Sequence, residues 1–148
     1  MEMDNELLEK MRNYCAYQER SRYEARQKMR LLKIPNDTIE DVLNTLVEEN
    51  FIDEERFTEC FIRGKFRIKQ WGRQKIRQHL QQKGIDHHLI DQHLENDIDE
   101  SEYQENLAGQ IDKYLKNNIM NTEADRAKLL RHFMAKGYEY DNIINHLK

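Results

Sequence analysis

A pattern of about two dozen residues occurs three times in the chain, and it constrains the fold more than any other feature. The segments 21–43, 72–94 and 125–147 align without gaps. Their apolar residues recur three and four positions apart, which is the spacing of amphipathic helices. Self-similarity at a period of about 50 residues indicates a tandem array rather than a single closed core. The sequence therefore predicts an all-α chain built from repeated helical units.

A further amphipathic helix precedes each repeated segment and completes a three-helix unit. We predict three tandem three-helix repeats in an elongated, curved array: unit one (1–52), unit two (53–98) and unit three (99–148). Each unit is too small to bury a core alone, so neighbours are expected to share apolar surface.

Residues that begin and end helices recur within the repeats. Ser21 with Glu24 predicts a capping box, and Asp125 is expected to cap the corresponding helix of unit three. Gly84 and Gly137 are expected to end these helices, because glycine adopts the left-handed conformation readily.

Unit one departs from this scheme. Lys33 stands where units two and three have glycine, at a cost of about 1 kcal/mol if the left-handed conformation is kept. Pro35 offers another way to end the helix. Asp37 with Glu40 predicts a second capping box, and Asp53 is expected to cap the first helix of unit two.

Several classes of protein are not indicated by the sequence. The segment 1–10 lacks the apolar run of a signal peptide, and no stretch approaches the ~20 apolar residues of a membrane span. Cys15 and Cys60 fall at helical apolar spacing and are interpreted as reduced core thiols, which favours a cytoplasmic protein.

No catalytic motif, phosphate-binding loop or metal-ligand set is apparent in the sequence. His87, His88 and His93 lie close together, but no cysteine or paired acid completes a set of ligands. We therefore predict a protein that is not an enzyme and that binds no metal or other cofactor.

Charge is banded along the chain, although the net charge is only −4. Residues 61–85 hold eight Lys or Arg and no acid, whereas residues 86–112 hold nine acids and no Lys or Arg. Such banding favours binding to a charged partner over a solvated helix face. The candidate binding residues are Arg63, Lys65, Arg67, Lys69, Trp71, Arg73, Lys75 and Arg77, with Arg22 and Arg26 as an extension.

Two of these assignments have structural alternatives. Trp71 is better suited to filling a gap between units than to binding. Arg22, Arg73 and Arg126 occupy equivalent positions at the starts of helices, where cations oppose the helix dipole. An ion pair with the preceding acidic helix explains these arginines as well as binding does.

The segments 51–57 and 71–85 are similar to the central segment of the RecX family, which regulates the bacterial RecA recombinase. Segment 21–29 resembles the first repeat of that family, and segment 128–138 resembles its divergent third repeat. Arg73 and His79 depart from the family pattern, where proline and an acid are common.

The resemblance implies a negative modulator of RecA in DNA repair, recombination and the SOS response. It implies binding to the RecA filament on single-stranded DNA, directly or through RecA, which limits ATPase, strand exchange and coprotease activity. Duplex DNA is expected to bind weakly, and the protein is expected to be a monomer. The alternatives are a helix-turn-helix-like DNA-binding protein and a helical-repeat adaptor between proteins.

Overall fold

The computed structural model describes residues 5–148, and this part of the chain is helical without any strand, which confirms the predicted all-α class. The helices are α1 (Asn5–Tyr17), α2 (Arg22–Leu31), α3 (Asn36–Glu48), α4 (Glu54–Arg67), α5 (Arg73–Gln82), α6 (His87–Asp97), α7 (Glu100–Asn117), α8 (Glu123–Ala135) and α9 (Tyr140–Asn145). None of them combines the length and apolar character needed to cross a bilayer.

The repeated apolar positions form the core, as the spacing predicts. The first helix of each repeat buries two residues four apart, and the second helix buries an isoleucine. These residues are Ala25, Met29 and Ile39, then Ile76, Leu80 and Ile90, then Leu129, Phe133 and Ile143.

Within residues 5–148 the buried apolar side chains form two clusters rather than three. The cluster of α1–α3 contains residues between Leu7 and Ile52, whereas the buried residues of α4–α9 form one continuous cluster between Phe57 and Ile143. Units two and three therefore share a core as expected, whereas unit one buries a separate cluster, contrary to the expectation that each unit shares its core with a neighbour. The division of the chain at residues 52 and 98 stays a prediction.

The predicted capping box at Ser21 is confirmed, but the cap of α8 is not where the sequence placed it. Ser21 and Glu24 make both hydrogen bonds of the box. In α8 the N-cap is Thr122, and Asp125 is the third helical residue, which completes a box with Thr122. The prediction that Asp125 is the cap is wrong because the helix begins one turn earlier than repeat alignment suggests.

The first turn of α3 also differs from the prediction. Its N-cap is Pro35, which has no side-chain hydrogen bond, so the expected box between Asp37 and Glu40 is wrong. The side chain of Asp53 accepts a hydrogen bond from the Arg56 amide, which confirms the cap of α4.

The left-handed residue that ends the first repeat helix is present in all three units. Lys33 has a φ of 60°, beside 72° at Gly84 and 103° at Gly137, so the left-handed conformation is kept without glycine.

The two cysteines differ in their exposure. Cys15 is buried, which raises its pKa to about 11. Cys60 is exposed, and its expected core role is wrong because it lies beside the buried stripe of α4.

Units two and three meet through a backbone contact at two glycines. The Gly72 amide donates to the Lys136 carbonyl at 2.8 Å, and the Gln74 amide donates to the Gly137 carbonyl at 2.9 Å. A Cβ on Gly72 would lie 2.4 Å from the carbonyl carbon of Gly137. Glycine at position 72 therefore permits the two chain segments to approach closely.

Polar contacts join units one and two. The Arg56 guanidinium lies 2.5 Å from the Glu19 carboxylate, and the Lys83 ammonium lies 2.9 Å from the Glu24 carboxylate. Glu24 thus has two roles, because its other oxygen accepts from the Ser21 amide.

Candidate binding surface

The fold separates the predicted basic residues into a neutralised group and an unpaired group. Three arginines of unit two, which we call the paired row, contact acids from distant parts of the chain. They are Arg67, Arg73 and Arg77.

Arg73 is the most enclosed member of the paired row. Its side chain is 18% exposed, its guanidinium stacks 3.7 Å above the centre of the Tyr103 ring, and it pairs with Glu100 and Glu139. The Tyr103 hydroxyl donates to Glu139 at 2.6 Å and accepts from the Arg73 amide at 3.0 Å. Arg73 therefore joins unit two to unit three, and its role in binding stays a prediction.

The other two members of the row are more exposed but also have acid partners. Arg67 lies 3.5 Å from Glu102, and Arg77 pairs with Asp91. The groove beside the row is lined mainly by acids of the 86–112 segment. This side of unit two therefore carries little uncompensated positive charge.

Two other basic residues of unit two flank Trp71, and we call Lys65, Trp71 and Lys75 the Trp71 patch. The two ammonium groups lie 4.9 and 4.4 Å from the centre of the indole, within the range of cation–π attraction. The Trp71 ring is half-buried against the core and also contacts His79, at 4.6 Å between centres. The expected core role of Trp71 and its place on the basic surface thus coexist.

Arg63 and Lys69 are exposed, and within residues 5–148 neither forms a hydrogen bond or ion pair through its side chain. In unit one, Arg26 pairs with Glu40 at 3.1 Å. The Arg22 amide donates to the Glu54 carboxylate at 3.4 Å, which is a contact with the following unit rather than the preceding helix.

Unit three supplies basic residues that the sequence interpretation missed. Lys113, Lys128 and Arg131 are exposed, and Lys136 is half-buried beside them. In the sequence they are dispersed among acids and apolar residues. The only available signal was that Lys128 and Arg131 are three residues apart and so lie near each other on one side of a helix.

His93 is surrounded by carboxylates, although the sequence indicated no paired acid beside the histidines. Its side chain is 6% exposed, with Nδ1 2.8 Å from Asp97 and Nε2 3.0 Å from Glu55, and Glu59 lies 3.9 Å away. Burial alone would lower the pKa of His93, but hydrogen bonds to Asp97 and Glu55 raise it. An imidazolium that donates from both nitrogens accounts for this cluster.

Family models match both of the first two units. The model described as the first three-helix domain of RecX matches residues 8–46, and that of the second three-helix domain of RecX matches residues 53–94. The regulatory protein RecX of Prosthecochloris aestuarii is 32% identical over 130 residues, which cover 88% of this chain and 83% of that protein. The chain belongs to the RecX family. Regulatory protein RecX of Clostridium tetani is 38% identical over 112 residues, or 73% of this chain.

The chain spans about half (50%) of the length of the Clostridium tetani RecX. Among solved structures, RecX from Lactobacillus salivarius superposes with a TM-score of 0.77 at 24% identity, covering 95% of this chain and 91% of that one. That likeness shows a shared fold.

Proposed function

We propose that this chain regulates a RecA-type recombinase by binding its filament on single-stranded DNA. Membership of the RecX family, with matches to both of the first two three-helix domains, is the observation that carries the proposal. Binding limits ATP hydrolysis, strand exchange and coprotease activity, either by bridging neighbouring recombinase protomers or by obstructing the incoming duplex. The chain acts as a ligand of the filament and performs no catalysis itself.

The charge distribution supports a partner that displays both protein and phosphate. Acids compensate the paired row, whereas the Trp71 patch with Arg63 and Lys69 presents uncompensated cations. Alternating potentials favour orientation on a filament whose surface contains both signs of charge.

A sequence-reading duplex binder is less well supported by the structure. In a helix-turn-helix protein a recognition helix enters the major groove with cationic and amide side chains. The third helices of units one and two, α3 and α6, contain no Lys or Arg. Their charge opposes insertion between phosphates.

The test is recombinase ATPase on single-stranded DNA while this protein is titrated in. We expect inhibition that is complete near stoichiometric coverage of the filament. Unchanged ATPase and strand exchange at that ratio contradict the proposal. A gel shift with and without the recombinase separates a filament ligand from an adaptor that is indifferent to DNA.

Charge reversals can be matched to test the surface itself. The variant Arg63→Glu/Lys69→Glu changes exposed, unpaired cations, and we expect weaker filament binding with unchanged helical content. The control Lys10→Glu/Arg30→Glu changes exposed cations of unit one. If both variants inhibit the recombinase ATPase equally, the unit-two surface has no role in binding, and the proposed regulatory function is not affected by that result.

A further inference from the structure

Six cationic side chains of units two and three lie around the Trp71 ring and along two adjoining grooves of unit three. Within residues 5–148 none of them takes part in an ion pair, although acids make up a larger part of the chain than bases. We call this set the basic track: Lys65, Lys75, Lys113, Lys128, Arg131 and Lys136.

The track is continuous across the junction of units two and three. Lys65 and Lys75 flank the Trp71 ring, and the backbone contact of Gly72 with Lys136 places the next cation beside them. Burial lowers the pKa of Lys136, and the nearby ammonium groups of Lys75 and Lys113 lower it further. The charges thus repel one another in the unbound protein.

The far end of the track lies between α7 and α8. Two shallow grooves there share Tyr114, Asn118 and His132 as lining residues. One groove adds Lys113 and Lys136, and the other adds Lys128 and Arg131, so the cations form a row along both grooves.

Aromatic and amide groups lie between the cations. Trp71 is half-buried in unit two, and the half-buried Tyr114 lies against His132 with 5.2 Å between ring centres. The amides of Gln70 and Gln110 line the groove that Tyr114 and Lys136 also line. Cations that follow a phosphate backbone beside aromatic faces that stack on bases are typical of single-strand binding surfaces.

We infer that the basic track binds the phosphates of a single-stranded nucleic acid directly, with Trp71 and Tyr114 beside it as stacking faces. The inference rests on the proposed function and deepens it, because it names the nucleic acid strand as the part of the filament that units two and three contact. It also gives unit three a role in binding.

The experiment measures binding to a fluorescent oligothymidylate by anisotropy in the absence of any recombinase. The track variant is Lys113→Gln/Lys128→Gln/Arg131→Gln, which changes only exposed side chains of unit three. The control is Lys10→Gln/Arg30→Gln/Arg126→Gln, which removes the same charge from exposed positions elsewhere. Arg126 is two residues, or about 200°, from Lys128 around α8, so it lies on the opposite side.

Each single-strand phosphate contact contributes about 0.7 to the steepness of log K against log salt concentration. The track variant removes three cations, so its salt dependence should be less steep than that of the wild type by about 2. At about 0.1 M salt this corresponds to up to about 100-fold weaker binding. The control should retain the wild-type slope.

Equal affinity of the track and control variants overturns the inference, as does a wild-type protein that does not bind the oligonucleotide. Competition by polyglutamate as strong as that by oligothymidylate overturns it in favour of an acidic protein partner. Recombinase ATPase is measured on the same samples. A wild-type protein that binds the strand but leaves ATPase unchanged contradicts the proposed function alone.

Discussion

Gly72 and Gly137 lie in close backbone contact, so we predict that one methyl group added at Gly72 will force units two and three apart. In Gly72→Ala the new Cβ would lie 2.4 Å from the backbone carbon and oxygen of Gly137 and 2.5 Å from the Tyr138 amide. Backbone atoms cannot rotate away as a flexible side chain can, so the segments must move apart by about 1 Å to reach ordinary contact distance. The φ of Gly72 is −81°, so the effect comes from space alone.

The magnitude follows from the two hydrogen bonds that the movement breaks. These are the bonds from Gly72 to Lys136 and from Gln74 to Gly137, at 2.8 and 2.9 Å. Leaving a buried backbone group unpaired costs about 1–3 kcal/mol, so Gly72→Ala should lower the free energy of unfolding by about 2–6 kcal/mol. With a urea m-value of about 2 kcal/mol/M, the midpoint should fall by at least ~1 M.

Urea titration followed by circular dichroism measures the effect, with Gly109→Ala as the matched control. A Cβ on Gly109 meets no atom within 4 Å, and the residue lies inside α7. Alanine there should stabilise the protein by about 0.5–1 kcal/mol, because it favours the helix. A midpoint for Gly72→Ala at or above the wild-type value would refute the steric reasoning.

Three further predictions concern a strained residue, a buried histidine and a junction arginine. Lys33 has a φ of 60°, so Lys33→Gly should raise the free energy of unfolding by up to about 1 kcal/mol and raise the urea midpoint. An unchanged midpoint contradicts backbone strain at Lys33. The raised pKa of His93 means that its stabilising charge is present below the unfolded pKa of about 6.5 and is lost as pH rises through the folded pKa. A pH series of urea midpoints should show that loss, and His93→Gln should abolish it; the same pH dependence in both proteins contradicts the assignment. Arg73→Glu should cost about 3 kcal/mol or more in unfolding free energy, whereas Arg63→Glu, at an exposed position, should stay within about 0.5 kcal/mol; equal costs contradict a junction role for Arg73.

The core and the helix pairs could be predicted from the sequence because each depends on periodicity within one segment. Helix starts were less accurate, since a cap depends on one hydrogen bond. Thr122 and Asp125 are both suitable acceptors three residues apart, and repeat alignment favoured the wrong one. The small size of the units predicted a shared core, which units two and three have, but the repeat pattern did not indicate that unit one would bury a separate cluster.

The candidate site was harder to predict because ion pairing depends on residues far apart in the chain. The run of basic residues in segment 61–85 was visible, but its neutralisation was not. Glu100 and Glu139 lie 27 and 66 residues from Arg73, and only the fold brings them together. Conversely, Lys113 of α7 and Lys136 at the end of α8 are 23 residues apart in the sequence but line one groove, because α7 packs beside α8.

Two of the three repeated arginines, Arg22 and Arg73, lie at the junctions between units. Arg73 pairs with Glu100, the first residue of α7, and the Arg22 amide contacts Glu54, the first residue of α4. At both junctions, therefore, the start of a repeat helix meets an acid that is the first residue of the next unit's first helix. Arg73 acts there through its side chain, whereas Arg22 contributes only its backbone amide.

In the basic track Lys75 and Lys128 are repeat equivalents, and Lys136 is the equivalent of Lys83, whereas unit one has Glu24 and Leu32 at these positions. Strand binding through the basic track is therefore expected of units two and three and not of unit one.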